Sequence, residues 1–107
     1  MIRASIYRSD DAITSFQVTG HADAGPYGQD IVCAAVSVLT IAMVNGLQQV
    51  VHNDVVVNQD AENGGLMEVD HISTAREAQV LMQTLQNGLL DIQDSYPDNI
   101  EVKIFDK

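Results

Sequence analysis

The only cysteine of the chain, Cys33, stands twelve positions after His21, and the stretch from Gly20 to Gln29 that leads toward it holds three glycines and Pro26. A thiol attacks carbon as its thiolate, which a nearby imidazole or the positive end of a helix stabilises. Cys33 is thus a candidate nucleophile and His21 a candidate general base. Taken alone, a cysteine among Ile31, Val32, Ala34 and Ala35 is an ordinary small core residue, and a lone histidine commonly caps a strand or faces solvent. Position alters the weighting, because an interval of this length can fold back and bring the two side chains together.

Two polar residues share the segment. Asp30 can cap a helix, orient His21 or hold the loop closed, capping being the commonest of these roles. Ser37 lies four positions after Cys33 and shares its helical face, where it can bond the thiol, the loop or a substrate, or simply its own helix carbonyl. Gly20, Gly25 and Gly28, together with Pro26, argue for a mobile loop that leads into the next element.

The elements that must position these residues can be read along the chain. Ile2 to Arg8 and Ile13 to Thr19 alternate apolar and polar residues around Ser9-Asp10-Asp11, which predicts two antiparallel strands. A helix opening near Asp30 and running to about Val50 would put Cys33 in its first turn. Val32, Val36, Leu39, Met43, Leu47 and Val50 recur along it at three- and four-residue steps, and Ile31, Ala34, Ala35, Val38, Ile41 and Ala42 make it apolar on more than one side, so deep burial is expected, with room also for contact with a second subunit. Val55 to Asn58 and Leu66 to Ile72 flank Asp60-Ala61-Glu62-Asn63-Gly64-Gly65 as a hairpin. Thr74 and Glu77 have capping-box spacing before a helix with the stripe Ala78, Leu81, Met82, Leu85, Leu89 and Ile92. Ile100, Val102 and Ile104 predict a last strand. The expected fold is α+β in the order β-β-α-β-β-α-β, a largely antiparallel sheet packed with two helices, and residues 1–107 form one domain.

Fifteen acids against five bases give a formal charge of -10. That field repels a phosphate backbone, arguing against direct nucleic-acid binding, and attracts basic partners. One cysteine forms no disulfide within the chain, and Met1 to Arg8 lacks a long apolar run, so the expected location is the cytoplasm. The apolar stretch Ile31 to Val44 falls short of a bilayer span, and no membrane segment is expected. His52 and His71 lie outside the Cys33 segment, no paired ligand spacing occurs, and neither metal nor cofactor is assigned.

Gly20-His21-Ala22 followed by Gly28-Gln29-Asp30-Ile31-Val32-Cys33-Ala34-Ala35-Val36-Ser37 closely resembles the Prp family of ribosomal-processing cysteine proteases. The resemblance implies a cytoplasmic endopeptidase that removes the short N-terminal extension of a large-subunit ribosomal protein precursor, and a homodimer. It matches Cys33 to the nucleophile, His21 to the general base, and Asp30 and Ser37 to the other polar positions of the motif. Two other readings stand beside it. One is a non-enzymatic acidic module that binds a basic ribosomal or assembly protein, with Cys33 packed in the core. The other is a redox sensor whose thiol would need a resolving partner from outside the chain.

Overall fold

A computed structural model of the chain describes residues 1–20, 27–60 and 66–107, with backbone alone for 27–30. Strands β1 (Ile2–Ser9) and β2 (Ala12–Thr19) form the first hairpin. Asp10 and Asp11 both take positive φ, +51° and +67°, and a two-residue turn of this kind matches the right-handed twist of its strands. Helix α1 (Tyr27–Asn45) runs on into a π-type turn at Gly46–Val50, followed by β3 (Val56–Asp60), β4 (Leu66–Asp70), α2 (Arg76–Ser95) and β5 (Ile100–Asp106). The predicted order of elements and the α+β class are observed.

The five strands form one sheet in the order β3-β4-β2-β1-β5. Three neighbouring pairs are antiparallel, and β5 lies parallel to β1, because the crossover through α2 returns the chain in the direction of β1. Alternation sends Ile2, Ala4, Ile6, Phe16, Val18 and Val69 to one face, where all are buried. That face is the core. At the far end of the sheet Tyr7 stacks on Phe105 with ring centroids 5.2 Å apart, and Arg8 Nε donates to Asp106 Oδ1 at 2.8 Å, pinning β5 to β1.

Helix α2 packs Ala78, Met82, Leu85 and Leu89 into the core, as its stripe predicts. Its start is held differently from the expected capping box. Ala75 occupies the N-cap without a side-chain cap bond, so Thr74 and Glu77 sit one position out of register for that motif. Instead Gln79 takes the Ile13 N–H on Oε1 at 2.8 Å and donates Nε2 to the carbonyls of Ile13 at 2.8 Å and Ser73 at 2.9 Å. Three bonds fix the helix start, two of them to β2, and they outweigh the single local bond that a cap would supply.

Helix α1 departs from expectation in two ways. It begins at Tyr27, three residues before Asp30, so Tyr27 to Gln29 are helical and Asp30 is a first-turn residue, not a cap. A preceding proline suits such a start, since the N–H that proline lacks would be unpaired there in any case. Val32, Val36, Thr40, Val44 and Leu47 are buried, whereas Ile31, Ala34, Ala35, Val38, Ile41 and Ala42 are exposed, Val38 by 70%. Burial is one-sided because the sheet covers only one face of the helix. The run Ile31–Val50, with a mean hydropathy of 1.9, is long and apolar enough to cross a membrane by length and composition; the shorter count from Ile31 to Val44 missed this. Burial against the sheet accounts for the inner face alone, 28% of the apolar window being buried, and Val50, which continues the three- and four-residue pattern, is exposed.

Replacement of Gln79 by alanine is expected to lower the free energy of unfolding by about 2 kcal/mol, since it leaves the Ile13 N–H unpaired. Thr74→Ala should change it by no more than about 0.5 kcal/mol. Urea denaturation of both variants checks the pair.

Candidate active site

A cleft of about 240 Å³ opens between α1 and the sheet, and Cys33 lines it together with Gly20, Ser37, Thr40, Gln59 and Met67. Cys33 is a free thiol of intermediate exposure, so it is neither sealed in the core nor fully in solvent. Ser37 follows one turn on along the same face of α1, a spacing that places the two side chains as neighbours.

The earlier start of the helix moves the thiol away from the helix end. Cys33 is the seventh helical residue, in the second turn and not the first. Its own N–H is spent on the carbonyl four residues earlier, and the unpaired N–H groups belong to Tyr27 through Asp30. The field of a helix end fades within the first turn, so it reaches Cys33 less than the expected first-turn position would allow.

Gly20 brings the chain to the cleft. It follows the last residue of β2 and lines the cleft itself, and His21 is the next residue in the sequence. All of His21 and Gly25, and the side chain of Asp30, lie outside the described residues, and Gly28 is placed within α1. Gly20 has φ +85°, and a Cβ there would run into the Met1 carbonyl oxygen. Its glycine character is therefore required by the backbone, whatever else the loop does.

Sequence reasoning overlooked Thr40 and Gln59, whose polarity gave no sign of where the sheet would bring them. His52 and His71 lie away from the cleft, at chain reversals with φ of +60° and +64°. Asn53 joins these two reversals, accepting the Ser73 N–H at 2.8 Å and donating to the His71 carbonyl at 3.3 Å. Among the described residues no group of three or more potential ligands could hold a metal ion.

The family model of the cysteine protease Prp matches residues 1–101. The ribosomal processing cysteine protease Prp of Staphylococcus aureus is 35% identical over 104 residues, covering 95% of this chain and 97% of that protein. Its Bacillus subtilis counterpart is 32% identical over 108 residues, covering 95% and 96%. The crystal structure of SMU.848 from Streptococcus mutans superposes with a TM-score of 0.93 at 33% identity, covering all of this chain and 96% of that one. The S. aureus protease in complex with a substrate peptide superposes with a TM-score of 0.88 at 32% identity, covering 97% and 99%.

Gly20→Ala is expected to cost about 1–3 kcal/mol of stability through the left-handed backbone and the collision with Met1. Thermal unfolding of the variant, followed by circular dichroism, measures this independently of any activity.

Proposed function

The chain belongs to the Prp family of cysteine proteases and is a cysteine peptidase; we propose that it removes the short N-terminal extension of a large-subunit ribosomal protein precursor in the cytoplasm, with Cys33 as nucleophile and His21 as general base. The observation that supports the reading is the cleft that Cys33 and Gly20 share, Gly20 being the residue before His21 in the sequence.

In this mechanism the Cys33 thiol gives its proton to the His21 imidazole, and Sγ bonds to the scissile carbonyl carbon. As the tetrahedral intermediate collapses, the C–N bond breaks and the leaving amine takes the proton from the imidazolium. Water then attacks the thioester while the imidazole accepts its proton, and the carboxylate product leaves as the thiol re-forms. The N–H groups at the start of α1 are the available oxyanion donors, because that of Cys33 is already used. Asp30 and Ser37 orient the pair or the loop, and the loop that holds Gly20 and Gly25 admits the peptide. No cofactor takes part. The charge of -10 favours encounter with a basic precursor and opposes nucleic acid.

The working form is a homodimer joined through the exposed face of α1. Ile31, Ala34, Ala35, Val38, Ile41 and Ala42 lie on it, and the sequence holds no acidic or basic residue other than His52 between Asp30 and Asp54. Two strongly acidic copies meet with least repulsion on such an uncharged face, and the contact removes apolar surface from water. A second copy there, and not lipid, accounts for the apolar outer side of Ile31–Val50.

Incubation with a precursor peptide should yield a single cut, lost in Cys33→Ala, and iodoacetamide should label Cys33 rapidly at neutral pH and at least tenfold more slowly in His21→Ala. Equal, slow labelling of both proteins together with an intact peptide would favour the acidic binding module. Val38→Asp should convert a dimer of twice the 11.6 kDa chain to monomer in analytical ultracentrifugation with little loss of folded structure, because Val38 contributes little to the core.

A further inference from the structure

Thr40 is 3% exposed, and its hydroxyl has no hydrogen-bond partner among the described residues. A helical threonine has a ready local solution, the carbonyl four residues earlier. Thr84 uses it, donating to the Val80 carbonyl at 2.7 Å. Thr40 does not, and it stands in the wall of the cleft that holds Cys33. A buried hydroxyl without a partner is a costly choice at a core position that valine would fill.

A second hollow lies next to the cleft. It shares Ile41, Gln59 and Met67 with it and reaches Gln48 between α1 and the β3–β4 strands. Among the described residues no charged side chain lines either part, although the chain holds 15 acids and 5 bases. Thr40 lies seven residues after Cys33, which at about 1.5 Å per helical residue is roughly 10 Å along the axis. An extended peptide rises about 3.3 Å per residue, so that distance spans about three residues.

Resting on the assignment of Cys33 as nucleophile, we propose that Thr40 is a specificity-determining residue. The cleft at Cys33 and the hollow next to it, toward Gln48, receive an extended, uncharged segment of the substrate. The Thr40 hydroxyl hydrogen-bonds an uncharged polar side chain of that segment, about three residues from the scissile bond. The division of labour is then electrostatic: the acidic exterior attracts a basic protein, while the uncharged groove selects the segment to be cut.

The test uses a fluorescently labelled peptide spanning the precursor cleavage site, with binding to the Cys33→Ala protein read by anisotropy. Adding Thr40→Val, which keeps the shape and removes the hydroxyl, should weaken binding roughly five- to tenfold, the ratio expected for one neutral hydrogen bond. Thr40→Ser should bind within about twofold of the parent. Without peptide, Thr40→Val should melt no lower than the parent, since the hydroxyl it removes has no partner in the free protein. Substituting alanine along the peptide should then identify one position, about the third from the cut, at which the Thr40→Val penalty disappears. Unchanged affinity in Thr40→Val, failure of serine to restore it, a matching fall in melting temperature, or no binding at all would overturn the proposal. Cleavage by the unaltered protein is scored separately: Thr40-dependent binding without a cut supports this role for Thr40 and removes the precursor as a substrate.

Discussion

The packing of α1 against a sheet that offers it one face is the constraint on which the rest of the molecule depends. Val32, Val36, Val44 and Leu47 are buried there, and a fully buried side chain of this kind contributes about 1.5–3 kcal/mol. That set of contacts fixes the rotation of the helix about its axis. Rotation in turn decides that Cys33, Ser37 and Ile41 stand at the seam, and that Ala34, Val38 and Ala42 face outward. A helix whose other sides were also covered would have its thiol sealed in the core.

The same seam is left incompletely filled. Two hollows separate α1 from the β3–β4 strands, whereas α1 and α2 meet closely, Gly46 lying under Leu81 and Gly88 under Leu39. At Gly88 a Cβ would come within 2.6 Å of a Leu39 methyl carbon, so the glycine is what permits that approach. Tight packing on one flank and an open groove on the other give a peptide room without loosening the core. The orphaned hydroxyl of Thr40 costs stability, of the order of 1–3 kcal/mol by general experience with buried unpaired groups.

Much of the architecture was legible because it depends on local periodicity. Alternation in Ile2 to Arg8, the Asp10-Asp11 turn and the stripe of α2 each follow from side-chain direction and backbone sterics within a few residues. The boundaries of α1 and α2 were less legible. Thr74 and Glu77 have the spacing of a cap, yet the bonds from Gln79 to Ile13 hold the helix start, and such long-range bonds leave no trace in a local window. The three helical residues before Asp30 were hidden for a related reason: glycine and proline signal a loop, but both are tolerated in or next to a helix's first turn.

By itself the sequence determined the residue types available for catalysis, the family, the order of elements and the acidic field, since these follow from composition, spacing and motif. It could not determine which side of α1 faces the sheet, because that helix is apolar nearly all round and periodicity does not choose between two apolar faces. Only the tertiary structure decided that Cys33 lies in the second turn at the edge of a cleft, that Gly20 reaches the same cleft from β2, and that Thr40 is buried there unpaired. Those facts arise where distant segments meet, and the physics of such meetings lies in shape and burial summed over the whole sheet.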